Sequence, residues 1–270
     1  MTAMYDFDSH AIQGSRDSQE DSCAFHILEP VLAPEAVAGD NANDDQQELI
    51  AVLADGMGGH VGGSTASNLA CSQFIASYCR DGAEDKFTES LEACNEAISA
   101  RISQDKALKG MGCTLIGASI RKQGLRWVSV GDSLLYLYRD RELFRLNQDH
   151  SFGALLDAMV KKGEMSADEA AVDPRRNSLL SAVSGEELDM IDIHDIDIPL
   201  DHDDWIILAS DGLLTLNKKL IANIIHMNER GGASGVAKAL TQAVQDVQAP
   251  NQDNTTVMVA RPGPGMQFEV

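Results

Sequence analysis

The sequence predicts an α+β sandwich, and three observations lead there. After residue 113 the chain turns to short apolar runs, CTLIGASI, LRWVSVG and LLYLYRD, punctuated by the turn sequences RKQG and RDRE. Hairpin links of this kind oppose a series of right-handed β-α-β crossovers, so a doubly wound nucleotide-binding fold is disfavoured. Two helical patterns, residues 64–79 and 84–105, follow each other with no strand between them, as an antiparallel helical layer over one face of a sheet does. Finally, several apolar runs stop at an aspartate, as in LIAVLADG and WIILASDG.

Taken in chain order, SCAFHIL at 22–28 and LIAVLA at 49–54 read as strands. Residues 29–48 between them hold two prolines, Gly39 and several acids, and are expected to form a polar, solvent-facing hairpin insertion. The helix over 64–79 buries a stripe of Ala66, Leu69, Ala70, Phe74 and Tyr78; the one over 84–105 buries Phe87, Leu91, Cys94, Ile98 and Ile102. Three strands joined by hairpins follow. Residues 152–173 form a polar helix-loop insertion whose apolar face is Leu155, Leu156, Met159 and Val160. IDIHDIDI, within 188–198, is expected at a sheet edge with its isoleucines on one side. WIILAS at 205–210 is a central strand, helices cover 218–229 and 234–247, and TTVMVA at 255–260 closes the sheet. No repeat and no linker divides the chain, so residues 1–270 are expected to be one domain.

Charge narrows the function. The chain carries 42 acidic and 21 basic residues, a net charge of -21. Such a surface opposes a nucleic-acid backbone or an anionic membrane, so neither is expected as a partner. An anionic substrate could settle among these carboxylates only with the help of bound cations. The five cysteines show no CxxC and no zinc spacing, and no apolar stretch approaches the roughly 20 residues of a membrane span. With no secretory h-region either, reduced thiols in a cytoplasmic, monomeric protein are expected.

The chemistry lies in the acidic motifs. Asp55 follows LIAVLA and precedes Gly56, which puts a carboxylate at a strand end and lets a backbone oxygen approach the same cation. Asp211 repeats the arrangement after WIILAS, and Asp253 stands just before the final strand. Each Asp-Gly by itself is an ordinary turn signal; three of these strand ends converging would present oxygen ligands suited to Mg²⁺ or Mn²⁺. Gly58, Gly59, Gly62 and Gly63 are not a nucleotide loop, because no GKS or GKT follows, and no GxSxG nucleophile occurs.

ADGMGGH at 54–60, GDS at 131–133, ASDG at 209–212 and QDN at 252–254, in that order, resemble the metal-dependent protein serine/threonine phosphatases of the PPM family, type 2C, in their bacterial branch. SRDSQED at 15–21, MGCTL at 111–115, LNQDHS at 146–151 and NSLLSAVSG at 177–185 extend the resemblance across about residues 11–260. It implies a four-layer α-β-β-α sandwich with two central antiparallel sheets and the metals at one end. It implies two core ions, Mn²⁺ or Mg²⁺: Asp55 bridges them, the Gly56 carbonyl contacts one, and Asp211 and Asp253 bind the other. Asp132 belongs to a weaker third ion that Asp211 also contacts. By the same resemblance Glu20 and Asp21 orient water on the metals, Arg16 binds the phosphate, and residues 152–173 occupy the place of a mobile flap. The implied reaction is direct hydrolysis of phosphoserine or phosphothreonine in proteins by a metal-activated water, opposing a bacterial serine/threonine kinase. The expected partners are phosphoproteins, including a cognate kinase or its substrates.

The chain departs from the family at Gln19, where asparagine is common, at Leu134, where arginine commonly follows GDS, at Cys113, where threonine is usual, and at AVSG in place of ALG. Of these, Gln19 and Leu134 leave a weakly active or inactive phosphoprotein-recognition module as the alternative. His60 is read as structural, with protonation of a leaving group kept open, and Met57 as packing beneath its loop. His150 is expected to secure the loop after GDS, with Asp149 as a possible partner.

Overall fold

The computed structural model describes residues 4–29, 47–80, 85–263 and 266. The polar insertion expected over 29–48 therefore lies almost wholly outside the described residues. The chain opens with strand β1 (Tyr5–Ile12), then β2 (Ser22–Leu28), β3 (Glu48–Ala54) and the two-residue β4 (Gly56–Met57). Helices α1 (His60–Tyr78) and α2 (Lys86–Gln104) come next, followed by β5 (Gly112–Cys113), β6 (Leu115–Arg121) and β7 (Gly124–Val130). After β8 (Leu134–Arg139) and β9 (Glu142–Arg145) come the short helices α3 (Phe152–Lys161) and α4 (Ala167–Val172). The last part holds β10 (Asp192–Ile198), β11 (Trp205–Ala209), α5 (Lys218–Asn228), α6 (Gly232–Val247) and β12 (Thr255–Pro262).

These strands make two five-stranded antiparallel sheets, in the orders β1-β12-β11-β8-β9 and β10-β7-β6-β3-β2, while β4 and β5 pair separately. Three apolar clusters stack the layers. Between the sheets, Leu49, Leu53, Ile116 and Ile120 meet Leu135, Ile206, Leu208 and Met258. On the outer face of one sheet, Ile50, Val52 and Val128 pack against Phe74, Leu91 and Ile98 of α1 and α2. On the other, Tyr136, Trp205 and Val259 pack against Ile225, Val236 and Leu240 of α5 and α6. The architecture is thus the expected four-layer sandwich. It explains the unbroken apolar run LIAVLA: β3 is covered on both faces, so its alternation disappears. Each fully buried Leu or Ile contributes about 1.5–3 kcal/mol.

Several local expectations need correction. The three strands after residue 113 are not a continuous meander. β6 and β7 form a hairpin, but β7 ends in one sheet and β8 begins in the other, so residues 131–133 cross between sheets. Gly131 makes that crossing at φ 100°, where a Cβ would lie 2.6 Å from Thr114 Cγ2. β12 is interior, flanked by β11 and by β1, so TTVMVA does not close the sheet. The edge strand β1 escaped sequence detection because YDFDSHAI is largely polar. α1 starts four residues earlier than expected and includes Gly62 and Gly63. β10 is an edge strand, but a register irregularity between His194 and Ile198 breaks its alternation, and Ile193 and Ile196 are exposed.

Candidate active site

The ends of β3 and β11, the start of β12 and the crossing from β7 to β8 meet at one end of the sandwich. A cavity of about 460 Å³ opens there, lined by Arg16, Glu20, Asp55, Gly56, Asp132, Asp211 and Asp253. Met57, Gly58, Gly59, Thr114, Asn177, Ser178, Leu179 and Asn254 complete its wall. Met57 borders the cavity while its Cε lies close against Gly112 of the paired strand β5. Asp21 is absent from the wall. It is buried under the floor, where its Oδ2 accepts a hydrogen bond from Ser210 Oγ at 2.7 Å. His60 is the first residue of α1, and its side chain lies outside the description.

Local hydrogen bonds fix each acid. The Asp55 N–H donates to Thr114 Oγ1 at 3.0 Å, and that hydroxyl lies 2.7 Å from Ser133 Oγ of the GDS turn. Asn254 fastens the N-terminal loop: its Oδ1 accepts from the Glu20 N–H at 2.8 Å, and its Nδ2 donates to the carbonyls of Gln13 and Ser18. Gln252 Nε2 donates to the Gly212 carbonyl at 3.1 Å, joining the loops that carry Asp253 and Asp211. Glu20 sits where any residue but glycine at 63 would collide with it, since a Cβ there would lie 2.0 Å from Glu20 Oε2. The Ser178–Leu179 wall is held by a bridge between Ser151 and Leu179 and by a bond from the Phe152 N–H to the Ser178 carbonyl. Arg176 anchors its approach through two hydrogen bonds to Asp157 of α3, at 2.9 and 3.0 Å.

Electrostatically the site is strained by its own acids. Burial, and then repulsion from Asp21, Asp211, Asp132 and Asp253, holds the Asp55 carboxyl well above the usual range. Burial and its neighbours push Asp211 up to about 7 and Asp132 up to about 6. Asp21 is also raised, chiefly by burial. Arg16 is the cation of the wall, bound to Asp253 Oδ2 at 2.5 Å with its side chain 59% exposed. Within this crowd the buried Oδ1 atoms of Asp21 and Asp211 have no hydrogen-bond partner among the described residues. Buried carboxylates this close, with oxygens left over, fit hard divalent cations, which prefer oxygen ligands and offset the repulsion. Among the described residues, no three such side chains are already gathered tightly enough to form a finished cage.

The sequence-predicted acids thus come together, apart from Asp21 just below the wall. Thr114, Asn254 and the Asn177–Leu179 wall lie inside the motifs MGCTL, QDN and NSLLSAVSG, but the sequence alone assigned them no role of their own. His150 does tie down the GDS turn through hydrogen bonds, as expected, but through Gly131, whose N–H donates to His150 Nδ1 at 3.2 Å; Asp149, the possible partner, pairs with Arg145 instead.

A four-layer sandwich with an acidic, arginine-bearing cavity at one end defines a class of metal-dependent phosphatase, and comparison with known proteins agrees. The family model described as Protein phosphatase 2C matches residues 38–245. The chain belongs to this family, the metal-dependent serine/threonine phosphatases. The matched stretch contains Asp55, Asp132 and Asp211; Arg16, Glu20, Asp21 and Asp253 lie outside it. The serine/threonine phosphatase stp of Listeria welshimeri is 29% identical over 224 residues, covering 80% of this chain and 85% of that protein. The crystal structure of Mycobacterium tuberculosis PstP/Ppp superposes with a TM-score of 0.73 at 27% identity, covering 96% of this chain and 98% of that one. The PstP catalytic domain in complex with two manganese ions gives a TM-score of 0.71 at 26% identity, covering 95% and 97%.

Proposed function

We propose that the chain hydrolyses phosphoserine and phosphothreonine in proteins, reversing the marks of a bacterial serine/threonine kinase. The observation that carries this is the convergence of five acids from five separate segments around Arg16 in one cavity. In this reading Asp55, the Gly56 carbonyl, Asp211 and Asp253 hold two core ions, Mn²⁺ or Mg²⁺, and Asp132 with Asp211 holds a weaker third. The PstP catalytic domain, with its two manganese ions, supports the count of two. When bound, such ions neutralise the carboxylates and make water nucleophilic near neutral pH.

The chain's own residues do the rest. Arg16, at the exposed rim, takes two phosphoryl oxygens in its fork and turns the phosphorus toward the acids. Glu20, on the cavity wall and held by Asn254, orients water by hydrogen bonding, while Asp21, held below the wall by Ser210, acts on Asp55 from beneath. Thr114 keeps Asp55 and the GDS turn in register beneath them. Residues 152–173 act as a flap, because α3 and the loop after α4 carry the Asn177–Leu179 wall that substrate must pass.

No helix among the described residues is long and apolar enough to cross a membrane. All five cysteines are free thiols, which supports a reducing cytoplasmic setting. The test is phosphate release from phosphoserine, phosphothreonine and phosphotyrosine peptides with Mn²⁺, Mg²⁺ or chelator. Release from the first two, abolished by chelator, is expected. Tight peptide binding without release would favour the recognition-module alternative.

A further inference from the structure

The turn Gly131–Asp132–Ser133 is gripped by the segment that follows β8. All three of its carbonyls accept from residues 145–150: Gly131 O from the His150 N–H at 3.0 Å, Asp132 O from Arg145 Nη2 at 2.9 Å, and Ser133 O from Asn147 Nδ2 at 2.9 Å. Arg145 Nη2 also reaches Ser133 O at 3.3 Å, and its Nη1 donates to Asp149 Oδ2 at 2.8 Å. Of these donors only Arg145 is charged, and it bonds the peptide of Asp132 itself. Its side chain is 19% exposed, so the interaction is shielded from solvent. The residue after the turn, Leu134, is fully buried in the core against α5 and α6, so no cation can reach the turn from that position. The charge comes instead from the end of β9, where Arg145 pairs across the sheet with Tyr136 of β8.

We propose that Arg145 is a positioning residue for Asp132: by holding the successive carbonyls of Asp132 and Ser133, it aims the Asp132 carboxylate into the cavity and sets the affinity of the weak cation site. A fork pinned at one end by Asp149 and at the other by two carbonyls has a single geometry, which a lysine cannot reproduce. Asp55 is flanked directly by strands β3 and β4, whereas Asp132 is on a turn that crosses between two sheets, so its aim depends on this grip. The proposal rests on the three-ion reading given above.

The test is a Mn²⁺ titration of metal-stripped protein by calorimetry, with bound ions counted by electron paramagnetic resonance, on wild type, Arg145→Met and Arg145→Lys. Thermal melts confirm folding. Wild type is expected to show tight steps and one weak step. Arg145→Met weakens the weak step by about tenfold or more and leaves the tight steps within about twofold, and Arg145→Lys falls between. A weak step unchanged in Arg145→Met, or an equal loss in every step, overturns the positioning role. A wild type without any weak step removes the third-ion reading, and this proposal with it, while leaving the two core ions standing. If Arg145→Met does not fold, Arg145→Lys decides alone: a weak step within twofold of wild type contradicts the proposal.

Discussion

The main chain of Asp55 and the side chain of Thr114 are bound to each other: the Asp55 N–H donates to Thr114 Oγ1 at 3.0 Å. Because that hydroxyl also shares a hydrogen bond with Ser133 Oγ at 2.7 Å, one buried threonine couples the end of β3 to the turn that carries Asp132. Thr114→Val keeps the shape and removes the hydroxyl, leaving a backbone donor unpaired at a cost of about 1–3 kcal/mol. Turnover is expected to fall further than the stability loss explains, and Thr114→Ser should restore both. Urea unfolding and Mn²⁺-dependent kcat check this; a Thr114→Val enzyme with wild-type kcat contradicts it.

Gly63 separates stability from function in the opposite way. Within α1 an alanine is intrinsically favoured over glycine by about 1 kcal/mol, yet its Cβ would press on Glu20 Oε2. Glu20 can swing away, but the Gly56 backbone carbon, 3.0 Å from the same Cβ, must also yield slightly, which offsets the helix gain, so Gly63→Ala is expected to melt no higher than wild type while losing turnover. An unchanged kcat would mean that Glu20 has no role in the reaction.

Arg16→Ala tests the division of labour at the rim. Arg16 is bound to Asp253 in the free chain, so removing it should not weaken Mn²⁺ binding. Loss of charge-assisted bonds to phosphate should lower kcat/KM on a phosphopeptide by about 10–100-fold. A Mn²⁺ isotherm weakened by the substitution, with kcat/KM unchanged, would reverse the assignment.

The buried acids give a pH signature. Asp132 and Asp211, raised to about 6 and about 7, keep protons in the folded chain that the unfolded chain releases near pH ~4. The folded state therefore binds more protons over that window, and the cluster's contribution to ion-free stability falls as pH rises through it. Divalent ions need ionised carboxylates, so the rise in Tm on adding Mn²⁺ should grow between about pH 5 and about pH 8. Thermal melts at both pH values decide. Equal increments at the two would contradict the account, and Asp211→Asn should flatten the ion-free slope.

Much of this was legible in the sequence because the acids sit at the ends of apolar strands, where the pattern marks both the strand and the residue that leaves it. The helical start at His60 was not legible. Gly62 and Gly63 read as loop, yet they are glycines because α1 passes within contact of Met111, Glu20 and Gly56, a tertiary demand that helix propensity does not encode. The change of sheet at 131–133 was hidden for a related reason. Both β7 and β8 are apolar, and only pairing partners distinguish a third hairpin strand from the first strand of a new sheet. β1 was missed because an edge strand with polar residues lacks the burial signal, and Asp21 looked equivalent to Glu20 although Ser210 holds it below the cavity.

The central claim is that acids far apart in the chain act together through divalent ions to cleave a phosphate ester. It is tested most directly by phosphate release from a phosphothreonine peptide with saturating Mn²⁺, using wild type, Asp55→Asn, Asp211→Asn and Asp253→Asn. The account predicts release by wild type alone, with each variant folded but reduced to near background. Near-wild-type release by all three variants would contradict it.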